Sequence, residues 1–203
     1  MLPTLQQAKE MFDFITSKTD VLNVKMGLPK GISKAHYQTV AYVASKIAEA
    51  CFLDVHKAFL LGLFHDYGEY IEDTISGTFH GTAGYDELIK KGFNENAKVC
   101  LTHSFFDNDF DPDHFVSYES KEIVRAGKLV KKLQLDDYDY LIQLSDLLSA
   151  SNKIIRAEER LENLAKKYNI KKELVTNKIK AAKKLKDYFS RKSGKDIYNL
   201  LKI

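Results

Sequence analysis

Three prolines and ten glycines are all that punctuate a chain of 203 residues. Such sparse punctuation, combined with long segments of 3.6-residue apolar periodicity, restricts the chain to an almost wholly helical fold. No segment reads as a convincing strand. The periodicity predicts helices over 5–18, 33–52, 54–68, 80–91, 94–104, 118–133, 136–151, 152–168 and 171–191, with a short one from about 194. Ser33 is read as the N-cap of the second helix and Asp54 as that of the third. On the second helix His36, Val40, Val43, Ile47 and Cys51 share one stripe, so His36 points inward.

At this length one core and one active centre are expected. Apolar residues make up 44% and charged residues 29%, the balance of a globular protein. The longest apolar run, 58–64, is too short to span a bilayer, and the N-terminus lacks the layout of a signal peptide. A cytoplasmic protein without membrane contact is expected. Cys51 and Cys100 have no CxxC spacing and sit in apolar helical patterns, which points to buried free thiols.

The net charge of +3 hides an asymmetry. Residues 1–150 hold 15 Lys+Arg against 22 Asp+Glu, whereas residues 151–203 hold 16 against 6. The chain is accordingly divided into a helical domain over 1–150 and a basic helical extension over 151–203 packed on it. Those lysines lack interleaved stacking aromatics, which disfavours nucleic acid as a partner. Formation of a homodimer is left open.

Polar chemistry is concentrated where apolar helices end. His65-Asp66 closes the run 58–64, and His36, His80, His103 and Asp146 each fall at an inward-facing or helix-end position. Four imidazoles and two carboxylates can supply two divalent metals, and the nitrogen and oxygen donors suit iron, manganese, cobalt or zinc, with magnesium also compatible. His36, His65 and Asp146 would hold one ion, His80 and His103 the other, and Asp66 would bridge. Such a pair acidifies a water and polarises a phosphoryl group. The acidic, aromatic segment 104–116 reads as a lid. Its Asp107-x-Asp109-x-Asp111 start is not a calcium loop, because Pro112 replaces the required glycine and Tyr118 the closing glutamate.

The order His36 … His65-Asp66 … His80 … His103 … Asp146 resembles the HD-domain superfamily of metal-dependent phosphohydrolases, in the subset with extra histidines. Gly62-Leu-Phe-His-Asp-Tyr-Gly68 resembles the family's "LxHDxG" helix end, and His80-Gly-Thr-Ala-Gly84 its "HxxxG" helix start. Leu101-Thr-His103 and Leu144-Ser-Asp146-Leu are similar to its later histidine and closing aspartate. The resemblance covers about residues 30–150. It implies an all-α, HD-domain-like bundle with a metal site in the core, and a phosphomonoesterase or phosphodiesterase acting on nucleotides through a metal-bound hydroxide.

Where many members carry Lys or Arg three residues after the aspartate, this chain has Glu69, which resembles the "HDxxE" variant with a glutamate placed as general base. The other reading is that Glu69 faces solvent with Glu72 and Asp73. His114, Lys153 and Arg156 are candidate phosphate contacts, the last two because a continued helix would put them on the side of Asp146. Two further functions share the ligand set: a mixed-valent diiron oxygenase resembling myo-inositol oxygenase, and a regulatory domain that senses nucleotide or metal.

Overall fold

The computed structural model describes residues 1–71, 77–115 and 118–203. Val116 at the end of the expected lid, and Glu72 and Asp73, the neighbours expected for Glu69, lie outside the described residues. Among the described residues there are ten α-helices: α1 Leu5–Lys25, α2 Ile32–Ala50, α3 Val55–Leu63, α4 His80–Lys90, α5 Asn94–Thr102, α6 Ser120–Val130, α7 Asp137–Leu147, α8 Ala157–Tyr168, α9 Lys172–Ser193 and α10 Ile197–Leu201. No described helix is long and apolar enough to cross a membrane.

The fold is organised around α2. Val40, Ala41, Val43, Ala44, Ile47 and Ala48 are all fully buried, so this helix meets neighbours on nearly every side. Its alanines let α3 come close: a Cβ built on Gly62 would stand 2.8 Å from the Ala41 Cα. One core cluster joins α2 and α3 to α7 and to the C-terminal helices; a second lies between α1, α2, α3 and α5; a third forms under α6 from Phe79, Leu101 and Phe105.

Several boundaries differ from the sequence reading. Helix α1 runs to Lys25 rather than 18, started by a capping box in which Thr4 and Gln7 exchange bonds. Ser33 is not the cap of α2; Gly31, at φ 77°, precedes the helix, and the Ser33 hydroxyl is used elsewhere. Asp54 does cap α3 through the Lys57 amide. The helix expected over 136–151 stops at Leu147. Its continuation is a two-residue antiparallel ladder, β1 Ser149–Ala150 with β2 Lys153–Ile154, turned through Ser151 at positive φ. This small hairpin is the strand pair that periodicity did not reveal, since two-residue strands carry no alternation to detect.

The basic C-terminal helices dock on the acidic body. Lys178 of α9 bonds Asp107 at 2.7 Å, and Lys192 bonds Asp137 at 2.7 Å. Lys192–Asp137, partly open to solvent, contributes about 0–1 kcal/mol. The larger contribution is apolar: Phe189, Ala182, Leu161, Ala157 and Ile197 enter the same cluster as Val43, Ile47 and Leu144. A fully buried Phe189 alone is worth roughly 1.5–3 kcal/mol. Cys51 and Cys100 are buried free thiols, and burial pushes the Cys100 thiol well up.

Candidate metal centre

Five separate pieces of backbone deliver the six side chains. His36 comes from the second turn of α2, His65 and Asp66 from the turn after α3, His80 from the first residue of α4, His103 from the residue capping α5, and Asp146 from the last turn of α7. Helix ends suit this task because they combine a rigid approach with freedom to aim one side chain. Two glycines bring two of these pieces together. A Cβ on Gly68 would overlap the His80 carbonyl oxygen and stand 2.9 Å from the Gly84 Cα, so the 3-10 turn Tyr67–Ile71 lies backbone against backbone on α4. The two motif glycines are the two sides of one contact.

Asp66 sits at the middle of the group. Its Oδ2 lies 3.0 Å from His65 Nε2 and 3.6 Å from His36 Nε2, while its Oδ1 lies 3.1 Å from His103 Nε2 and 3.4 Å from His80 Nε2. Asp146 Oδ1 is 3.1 Å from His36 Nε2 and 3.9 Å from His65 Nε2. Donors held about 2.0–2.2 Å from one ion stand roughly 3.0–3.5 Å apart in octahedral or tetrahedral arrangement. Most of the distances fall in that range. Three combinations gather within 4.8 Å: His36, His65 and Asp66; Asp66, His80 and His103; and a crossing set of His65, His103 and Asp146.

Hydrogen bonds fix which nitrogens face inward. His65 Nδ1 donates to the Gly62 carbonyl at 2.8 Å, and His103 Nδ1 donates to the Cys100 carbonyl at 2.9 Å. In the neutral rings Nε2 is then a bare lone pair. Yet His65 Nε2 stands 3.3 Å from His36 Nε2, and His80 Nε2 stands 3.3 Å from His103 Nε2. Two ring nitrogens at that separation share a proton or a cation between them. Burial works against charge on His65, but Asp66 and Asp146 outweigh it and carry the imidazole up to about 9. Both carboxylates move the other way: burial opposes their ionisation, yet His65 and His103 hold Asp66 far below the usual range, and His36 and His65 do the same to Asp146. The same field attracts a divalent cation, and the donor set fits one. His36 Nδ1 is buried with no hydrogen-bond partner among the described residues, so the orientation of that ring rests on its Nε2 contacts.

Glu69 is not a solvent-facing acid. It leaves the 3-10 turn toward the cluster, accepts from Ser33 Oγ at 2.8 Å and from the Tyr37 hydroxyl, and Ser33 accepts in turn from Asn23 Nδ2 at 2.9 Å. Burial and then the neighbouring Asp66 push its carboxyl above the usual range. Asn23, Ser33 and Tyr37 were missed in the sequence. Ser33 and Tyr37 are four residues apart and flank His36, and their hydroxyls on the otherwise apolar buried face of α2 are the available signal.

The cluster opens into a cavity of about 860 Å³, lined by His36, Asp66, Glu69, His80 and Tyr118, with Arg160 and Lys167 from α8. His65, His103 and Asp146 lie behind that lining. The three phosphate-contact candidates do not line it. Lys153 is exposed on β2, because α7 ends before reaching it. Arg156 is exposed with its guanidinium 5.3 Å from the centroid of the Tyr198 ring. His114 is held within its own loop, Nδ1 at 2.6 Å from Asp109 Oδ2. That loop is tied to α9 through Lys178, whose ammonium takes up the charge of Asp107 and Asp109.

No curated protein and no solved structure matches the chain. A family model described as HD domain matches residues 34–151, a span that contains all six clustered histidines and aspartates and Glu69 but neither Asn23 nor α8.

Proposed function

The chain belongs to the HD-domain family, and from that premise we propose that it is a metal-dependent phosphohydrolase acting on phosphate esters, nucleotides foremost. The observation that carries this reading is the division of Asp66, one oxygen toward His36 and His65 and the other toward His80 and His103, at the wall of a cavity that Glu69 shares. Metal ions held by His36, His65, Asp66, His80, His103 and Asp146 would supply Lewis acidity for a water and for the phosphoryl oxygens.

The chain's own residues account for the rest. Glu69 takes the proton of the attacking water while Ser33 and Tyr37 hold its carboxylate in place. The water oxygen bonds to phosphorus, the ester P–O bond breaks with its pair going to the leaving oxygen, and that oxygen takes a proton from the Glu69 carboxyl or from solvent to depart as the alcohol. Tyr118 stands 3.3 Å from His80 Nδ1 and orients that ring at the cavity wall. A cavity of about 860 Å³ is of a size for a nucleotide.

The test is a panel of phosphomonoesters and phosphodiesters offered to metal-stripped protein reloaded with Mn²⁺, Co²⁺, Fe²⁺ or Zn²⁺, with phosphate release and oxygen uptake read together. Metal-dependent phosphate release without oxygen uptake is expected. Oxygen consumption that requires iron, with no phosphate release, would overturn the reading in favour of an oxygenase.

A further inference from the structure

Resting on the hydrolase reading, we propose that Arg160 and Lys167 form a second anion subsite, so that the substrate is an organic phosphate carrying a further anionic group apart from the one at the metal cluster. Both residues line the cavity that His36, Asp66 and Glu69 line. They are seven residues apart on α8, two turns along one face and about 10 Å along its axis. One phosphoryl group already gathered by the cluster cannot occupy both.

Among the described residues no carboxylate pairs with either of them. Three cations of α9 are paired with carboxylates, Lys178 with Asp107, Lys186 with Asp196 and Lys192 with Asp137, and the unpaired ones on that helix do not line the cavity, whereas Arg160 and Lys167 do. Lys167 lies over the Tyr168 ring, 4.9 Å from its centroid. Two cations left unpaired at the wall of a concave site create a potential that recruits anions. From α1, the following loop and α2 the cavity takes apolar lining from Leu22, Met26, Leu28 and Ile32 beside the polar Asn23, Lys25 and Ser33, so an uncharged middle portion of the substrate has apolar wall to lie against. Helix α8 begins after the stretch matched by the family model, so this subsite belongs to the chain's own extension and not to the ligand-bearing core.

The probes are adenosine 5′-monophosphate, adenosine 3′,5′-bisphosphate and inorganic phosphate, titrated calorimetrically into the metal-loaded full chain and into the double variant Arg160→Gln, Lys167→Gln. The intact protein should bind the bisphosphate about tenfold or more tighter than the monophosphate, the size of one charge-assisted contact. The double variant should lose that difference, with metal content, thermal stability and affinity for inorganic phosphate unchanged. Equal affinities in the intact protein, no measurable bisphosphate binding, or a preference that survives in the variant would each overturn the subsite. Calorimetry reads binding without turnover, so the two readings fail separately. A preference lost in the variant, with no phosphate released from any ester, sinks hydrolysis and leaves the subsite. Phosphate release with an unaltered preference sinks the subsite alone.

Discussion

Replacing Gly68 by alanine puts the smallest side chain into the contact that joins Asp66 to His80. The backbone of Gly68 does not need a positive φ, so the cost is steric. The added methyl would meet the His80 carbonyl oxygen, the Gly84 amide nitrogen and, at 2.9 Å, the Gly84 Cα, all of them backbone atoms that no rotamer change can move aside. Helix α4 must therefore retreat by about 1 Å, at an overpacking cost of roughly 1–3 kcal/mol. Metal ligands tolerate displacements of only about 0.2 Å. The half of the site built on His80 and His103 should lose its ion, while His36, His65 and Asp146, which come from α2, the turn after α3, and α7, keep theirs. Elemental analysis after dialysis should show about half the metal of the parent protein, with phosphate release largely gone. Gly92→Ala is the control: that glycine has open space around it at φ 80°, so the variant pays about 1 kcal/mol of backbone strain at a distance from the cluster. Full metal content and parental turnover in Gly68→Ala would refute the link between this contact and the site.

Asp66→Ala should strip metal and activity together, since both of its oxygens face histidines; full metal content in that variant would remove Asp66 from the ligand set. Glu69→Gln should keep its metal and its fold and lower kcat by roughly 10²–10⁴ if Glu69 is the base; unchanged turnover would leave it a structural anchor. Removing the cation beside buried Asp139, by Lys98→Met, strands a carboxylate that otherwise has Thr102 Oγ1 at 3.0 Å and the Asp136 amide, and urea unfolding should register a loss of about 1–3 kcal/mol. Phe189→Ala should cost about 3–5 kcal/mol and Lys192→Gln less than 1 kcal/mol, because packing and not ion pairing holds α9 in place; equal losses in denaturant titrations would contradict that order.

Helix-end chemistry was legible in the sequence because each ligand terminates an apolar stripe, and a polar group there has few reasons to exist other than to reach a shared interior. Cys51, Cys100 and the Asp54 cap followed from the same periodicity. What was hidden lay between elements. Ser33 looked like a cap because a hydroxyl before an apolar run usually is one; only the approach of the 3-10 turn shows that its partner is Glu69, 36 residues away. Lys153 and Arg156 were placed by extrapolating α7, and the hairpin at Ser149–Ile154 cancels that extrapolation by turning the chain. Arg160 and Lys167 could not be distinguished from the surrounding surface lysines, because the sequence carries no record of which helix face closes the cavity.

Helix α8 walls a cavity whose reactive side chains all come from earlier in the chain. On the proposed reading, the groups that react and the groups that select the substrate are encoded in different stretches of gene. Mutations that reshape α8 can alter which molecule is accepted while the imidazoles and carboxylates stay untouched, and the apolar anchorage of α9 and α10 keeps the fold intact during such drift. A lineage built this way can exchange substrates without passing through an inactive ancestor.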